Sequence, residues 1–242
     1  LFGWTGKLAC LSLMAMSDCE ACLVRNRAIC SALAEDELAL LSRMGRKQHV
    51  TRGQTLVWEG DEALVVANVI QGVLKLSIST ADGREQIVGV VFPSDFIGRP
   101  FGTESPYSVT ALTDAEICIF TRAAFEGFAK DHPDLQHKLL QRTLDELDRA
   151  RQWMMLLGRK TASERIATLL LEMSNRLGSA TCAAIAPFLD EFDLPMDRQQ
   201  MGDVLGLTIE TVSRQLTKLK EAAMIELPDH RRVVIKDRRG LE

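Results

Sequence analysis

No stretch of this 242-residue chain reaches the roughly 18 consecutive apolar residues that a membrane-spanning helix requires, although 46% of its residues are hydrophobic. Cysteine is scarce. Six in the whole chain, Cys10, Cys19, Cys22, Cys30, Cys118 and Cys182, are too few for a disulfide scaffold. A cytoplasmic protein is the better reading, and in that compartment clustered thiols bind metal or do redox chemistry more often than they staple. There is no excess of positive charge either: 29 Lys and Arg against 33 Asp and Glu give a net −4, which argues against a protein that coats nucleic acid indiscriminately. His49, His132, His137 and His230 are scattered without ligand spacing, and no nucleophile–base constellation stands out. An enzyme is therefore disfavoured.

What is present is uneven. Residues 198–242 hold nine Lys and Arg against seven Asp and Glu, a net of +2, so residues 1–197 carry −6. A mildly basic tail on an acidic body permits DNA contact. Near the start, "KLACLSLMAM" is too poor in cleavage signal to be a secretory leader. Leu1 is not a methionine while Met16 directly precedes "SDCEAC", so residues 1–15 are read as an over-extended frame or a dispensable extension.

The remainder divides by periodicity. "AEDELALLSRM" places Leu38, Leu41 and Met44 on one helical face. From Gly53 to Phe120, "NVIQGVLKLSIST" and "EQIVGVVF" are β-rich runs joined through Asp82-Gly83, a hairpin signal, and glycines recur at turn-like intervals. This predicts a compact roll of short antiparallel strands. A helix follows over about 132–157, ended by Gly158, with Leu140, Leu144, Leu147, Arg151 and Met154 at 4-3-4-3 spacing. Such a heptad stripe seats one helix against another, and a length of about 39 Å exceeds what cover for one small roll requires. A dimer seam is the favoured reading. "TASERIATLLLEMSNRLG" starts another helix with Ser163 or Thr161 as N-cap, and 179–192 reads as a loop.

The segment from Asp193 to Asp237 contains a short helix, a turn at Gly206 and a longer helix, followed by "IELPDHRRVVIKD" as a hairpin whose tip is Asp229 to Arg232. Asp197 and Gln200 have capping-box spacing, and Thr208 can cap the second helix. Ile209, Val212, Leu216 and Leu219 form its inward face, while Glu210, Ser213, Arg214 and Thr217 fall opposite. Helix-turn-helix plus hairpin is a winged helix. In a major groove, Arg214 matches guanine O6 and N7 bidentately, Glu210 accepts from the cytosine amino group, and Ser213 bonds a base or phosphate. The bland alternative is an i,i+4 surface ion pair between Glu210 and Arg214, worth only about 0.2–0.5 kcal/mol.

Cys19, Cys22 and Cys30 have C-x2-C-x7-C spacing, and four thiolates can hold a four-iron cluster, a two-iron cluster or zinc. The residues alone leave Cys10, Cys118 and Cys182 open as the fourth. A disulfide switch between Cys19 and Cys22 would give Cys30 no role.

Taken together, "RGQTLVWEGD", "ADGREQIVGVVFPSDFIG", "LTIETVSRQLTKLK" and the cysteine cluster resemble the CRP/FNR superfamily of bacterial transcription regulators, over residues 19 to about 238 and specifically its FNR branch. The resemblance implies an α+β chain in four parts. These are an extension over 1–18, a cluster-binding loop and sensory β-roll (a cyclic-nucleotide-binding-like jelly roll) over 19–130, a long dimerisation helix over 131–158, and a C-terminal winged helix-turn-helix over 159–242. It implies a 4Fe-4S cluster on Cys19, Cys22, Cys30 and Cys118, the last because "AEICIF" resembles the strand that supplies the family's fourth ligand. The gap of seven residues before Cys30 departs from the best-known pattern of five, which leaves the shielding of the cluster open; Leu23 and Ile29 are candidates for limiting access.

The Glu210, Ser213 and Arg214 pattern resembles the reader of a TTGAT-type half-site, so a homodimer on double-stranded DNA would bind a TTGAT-N4-ATCAA-like inverted repeat and engage RNA polymerase. Ala150 stands where well-studied relatives carry a carboxylate that repels its twin across the seam, which implies a tighter dimer here. Cyclic AMP binding in the CRP branch resembles a Gly-Glu and an Arg before Ser or Thr. Here Arg99 follows Gly98 and Tyr107 precedes Ser108, so no cyclic nucleotide is expected. A regulator with structural zinc or a thiol switch, and no iron, is the rival reading.

Overall fold

The computed structural model describes residues 19, 22–179 and 188–242, so Cys10, Cys182 and the 1–15 extension lie outside the described residues. After a short 3-10 turn (Ile29–Ala32), helix α1 (Glu35–Met44) buries Leu38 and Leu41. Eight strands follow: β1 (Arg46–Val50), β2 (Thr55–Val57), β3 (Val65–Gln71), β4 (Leu74–Ser79), β5 (Glu85–Val91), β6 (Phe96–Ile97), β7 (Ser108–Ala111) and β8 (Ala115–Thr121). They form two four-stranded sheets, ordered β1-β8-β3-β6 and β2-β7-β4-β5, in which every strand pair is antiparallel. The Asp82-Gly83 hairpin joins β4 to β5 as the sequence predicts, whereas "NVIQGVLKLSIST" is broken between β3 and β4.

Period-2 alternation explains why β3 and β8 are apolar on both sides. Ala67 and Val69 of β3, with Ala115, Ile117 and Ile119 of β8, face the interior of the roll. Val66, Phe120 and Cys118 face the opposite side, where they meet Ile29 and α1. The outer face of β3 and β8 is thus covered by the N-terminal segment, while most of β1 at the edge of the sheet stays exposed.

Two helices leave the roll, α2 (Arg122–Lys130) and α3 (Pro133–Arg159). At 27 residues α3 is about 40 Å long. It does not end at Gly158: the helix continues through it to Arg159, because Gly158 does not take the left-handed conformation with which glycine ends a helix. Then come α4 (Ala162–Ser179), β9 (Glu191–Asp193), α5 (Arg198–Leu205), α6 (Ile209–Glu221), β10 (Ile225–Glu226), β11 (Arg232–Ile235) and α7 (Arg238–Leu241). Thr161 precedes α4 and closes a reciprocal pair with Glu164, so it and not Ser163 is the cap. Glu191 and Phe192, expected in a loop, belong with Asp193 to a strand that pairs with β11 and buries Phe192.

The C-terminal core is formed by α4, α5, α6 and the β9–β11 sheet, around Leu169, Met201, Val212 and Val233. Among the described residues no helix is long and apolar enough to cross a membrane.

Candidate cysteine centre and nucleic-acid interface

Cys118 projects from the outer face of β8, paired at the backbone with Lys47 of β1 and Asn68 of β3. The other three cysteines arrive on the segment covering that face. A succession of turns positions them: Cys22 N–H donates to Cys19 O (3.3 Å), Arg25 N–H to Cys22 O (3.2 Å) and Ala28 N–H to Val24 O (2.8 Å). Val24, Ala28 and Ile29, between Cys22 and Cys30, are buried and anchor the segment. All four cysteines line one small apolar cavity of about 30 Å³. Cys19 and Cys118 are 99 positions apart, so only the tertiary fold brings them together.

Burial pushes the Cys118 thiol up to about 12, with the approach of Cys19, Cys22 and Cys30 raising it further and Lys47 opposing. Cys30 is pushed up to about 11, again first by burial and then by Cys22 and Cys19. The pocket therefore disfavours thiolates unless a cation shares it, and a bound metal centre supplies that charge. Among the described residues no three or more His, Cys, Asp or Glu side chains stand close enough together to form a metal-ion group. Four soft sulfur donors in apolar surroundings are the ligand chemistry that a thiolate-bound iron–sulfur group requires. Of the two residues expected to shield the site, Ile29 is fully buried and Leu23 is 52% exposed, and neither lines the cavity itself.

The N-terminal segment also touches α3. Its 3-10 turn packs on that helix, and the Arg142 guanidinium donates to Arg27 O, between Cys22 and Cys30. Farther along, α3 has two faces. Leu135, Leu139 and Leu156 are buried in their own subunit, whereas Leu140 (56%), Leu144 (52%), Leu147 (43%) and Met154 (72%) are exposed in a row. Ala150 is exposed between the last two, and Arg151 pairs with Asp148 at 3.1 Å.

In the C-terminal unit, Asp197 and Gln200 form the capping box and Thr208 accepts from Thr211 N–H, both as the sequence predicts. The tight turn between α5 and α6 requires glycine twice. Gly206 is left-handed at φ 62°, and a Cβ on Gly202 would stand 2.5 Å from Leu207 O. Helix α6 buries Val212, Leu216 and Leu219; Ile209, expected inward, is 39% exposed because it opens the helix beyond the edge of the core.

Thr208, Glu210, Ser213, Arg214 and Thr217 are all exposed. No ion pair joins Glu210 to Arg214 among the described residues. Arg214 Nη2 instead donates to Thr211 Oγ1 (3.4 Å), and Thr217 Oγ1 donates to Ser213 O (3.0 Å). The Glu210 carboxylate is held below its ordinary range by its own backbone N–H and the Thr208 hydroxyl, and so remains an acceptor. Arg232, expected at the tip of the wing, lies in β11 and is engaged by Asp193 and Glu191, both at 3.3 Å. The tip itself is closed by Asp229 Oδ1, which accepts from Arg231 and Arg232 N–H at 2.7 Å.

Sequence patterning did not single out three residues. Arg142 is one, since nothing local marks its partner 115 positions away. Arg165 is another: it donates to the carbonyls of Lys160 (2.9 Å), Leu205 (2.9 Å) and Leu157 (2.6 Å), joining the end of α3 to the end of α5. Asn68 did leave a signal, as the one polar residue inside the apolar run "VVANVI".

These features define a class, a winged helix-turn-helix protein whose recognition unit is carried on a β-roll and a long helix. The Crp-like helix-turn-helix domain model matches residues 164–242 and the cyclic nucleotide-binding domain model residues 47–132. The transcriptional activator protein FnrL of Cereibacter sphaeroides is 44% identical over 220 residues, 90% of this chain and 88% of that protein. The nitrogen fixation regulation protein FixK of Bradyrhizobium diazoefficiens is 38% identical over 209 residues, 86% of each. Among solved structures, FixK2 from Bradyrhizobium japonicum superposes with a TM-score of 0.73 at 33% identity, covering 81% of this chain and 95% of that one. The chain belongs to the CRP/FNR family of transcription regulators, α+β proteins that bind DNA through this domain and act as dimers.

Proposed function

We propose that this protein is a cytoplasmic, oxygen-responsive transcription activator. It binds a TTGAT-N4-ATCAA-like inverted repeat as a homodimer, and contacts RNA polymerase there, while a 4Fe-4S cluster is intact on Cys19, Cys22, Cys30 and Cys118. One observation carries the reading: four cysteines from two distant parts of the chain line a single apolar cavity, in a segment that rests on the helix bearing the exposed leucine stripe.

When bound, the cluster supplies oxygen-labile iron–sulfur bonds that cross-link the N-terminal segment to β8. The rest of the switch belongs to the chain. With the segment held, Ile29 fills the space between α1, α2 and α3, and Arg27 O receives the Arg142 guanidinium. This fixes the N-terminal half of α3, from which Leu140, Leu144 and Leu147 project toward a second copy. Arg165 carries the position of α3 to the end of α5 and so to α6. With the segment released, Arg142 loses its acceptor, the seam loosens, and the two recognition helices leave the separation of one DNA turn, about 34 Å, that paired half-sites demand. A coupling of about 5.5 kcal/mol suffices to move such a population from 1:99 to 99:1.

The test is an anaerobic purification with iron and sulfide analysis, followed by a DNA-binding titration before and after brief aeration. The expected result is a brown protein with about four irons per chain whose affinity for the inverted repeat falls in air. A colourless, zinc-loaded protein with unchanged affinity overturns the reading in favour of a structural zinc regulator; a colourless protein whose binding follows thiol oxidation favours a disulfide switch.

A further inference from the structure

Asn68 is buried to 3% exposure in the middle of β3, and its Oδ1 has no hydrogen-bond partner. Its neighbours Ala67 and Val69 pack inside the roll, so its side chain falls on the outer face, opposite Cys118 in the β3–β8 pairing and lining the cavity that the four cysteines surround. A buried amide carbonyl without a partner weakens a fold that valine at the same place would strengthen, since valine suits a buried strand. The position makes sense when the cavity holds something polar. An amide presents two N–H donors or a carbonyl, according to a half-turn about χ2. The sulfurs of metal thiolates, and the inorganic sulfides of a cluster, are acceptors. Hydrogen bonds to them stabilise the more negative redox state and set the potential.

We infer that Asn68 is a positioning residue of the cysteine centre, whose amide donates to a metal-bound sulfur beside Cys118 and slows the reaction of the centre with oxygen. The inference rests on the iron–sulfur reading above and adds to it a regulatory residue that is not a ligand.

An isosteric pair tests it, Asn68→Val without a donor and Asn68→Thr with one. Iron and sulfide are first measured in each protein after anaerobic reconstitution, then the decay of visible absorbance is followed in air, and the metal-free proteins are melted. The expected result is that the valine variant bleaches several-fold faster than wild type, with the threonine variant between them. Metal-free Asn68→Val melts at the same temperature as the metal-free wild type or higher. A valine variant that takes up no cluster while the threonine variant does also supports the role. Equal bleaching rates in all three proteins overturn it, as does a metal-free valine variant that melts lower and bleaches at the wild-type rate, which would mark Asn68 as merely structural. A wild type that binds no iron overturns the iron–sulfur reading itself, and this inference with it.

Discussion

The guanidinium of Arg142, on the long helix α3, donates a hydrogen bond to the carbonyl oxygen of Arg27, in the segment between Cys22 and Cys30. The bond is charge-assisted and partly buried, and Arg142 Nε has no partner, so the carbonyl of Arg27 is a main compensation for the burial of this cation. Replacing Arg142 with methionine removes the donor and keeps the packing of its stem. A hydrogen bond to a charged group contributes roughly 1.5–3 kcal/mol, so Arg142→Met is expected to weaken the link by that order. Cluster content and the visible spectrum should stay at wild-type values, while the ratio of anaerobic to aerated DNA affinity shrinks. An unchanged ratio would show that the segment and the helix are not coupled through this bond.

The exposed stripe on α3 predicts where the second copy sits. Leu144 is half exposed in the monomer, so Leu144→Glu leaves the fold intact. In a twofold seam each substitution counts twice, and burying a leucine contributes about 1.5–3 kcal/mol. Sedimentation should report a monomer at micromolar concentration. Ala150→Asp, on the same face, should act in the same direction by placing two carboxylates near the axis. Leu135 provides the contrast. It is fully buried against its own subunit, so Leu135→Ala should cost about 2–5 kcal/mol of stability and leave the dimerisation of the folded protein unchanged.

Much of this was legible in the sequence where the signal was local. The Asp197–Gln200 capping box, the Thr208 cap, the Asp82-Gly83 hairpin and the leucine stripe are each set by residues within a few positions of one another, and local chemistry decided them. The errors fall where a distant neighbour decides. Phe192 lies in a three-residue strand that exists only because β11 offers it a ladder. Leu23 and Ile29 look equally fit to cover the cysteines, and tertiary packing buries one and exposes the other. Gly158 lacks the left-handed turn that ends a helix at glycine elsewhere, so the helix runs through it. The grouping of Cys118 with the first three cysteines came from family resemblance, since spacing alone left three choices for the fourth.

On the DNA side, Arg214 and Lys218 are both exposed on α6 but should fail differently. Arg214→Ala removes a bidentate contact to a base edge, so it should cost about 1–3 kcal/mol per half-site and relax the preference at one position of the repeat. Lys218→Ala, nearer the end of the helix, should weaken binding to all sequences alike and lower the salt dependence, as loss of a phosphate contact does. Competition titrations against repeats mutated base by base, at two salt concentrations, separate the two outcomes. A uniform loss for Arg214→Ala would remove it from the reading of sequence.

The cysteine pocket makes a pH prediction for the metal-free protein. Cys30 and Cys118 are held at about 11 and about 12, above the ordinary thiol value of 9.0. Between these limits the folded chain keeps protons that the unfolded chain has lost, so stability must fall as pH rises. The loss begins as pH passes the unfolded value near 9, and continues until the folded values are reached. Each thiol contributes a slope of at most about 1.4 kcal/mol per pH unit. Urea midpoints of the metal-free protein should therefore drop between pH 9 and pH 11, and Cys118→Ser should flatten the decline. The same burial should make Cys118 slow to alkylate at pH 8 in the folded state and fast once urea opens the pocket. A midpoint indifferent to pH across that window would mean that the thiols stand in water, not in the apolar cavity on which the whole switch depends.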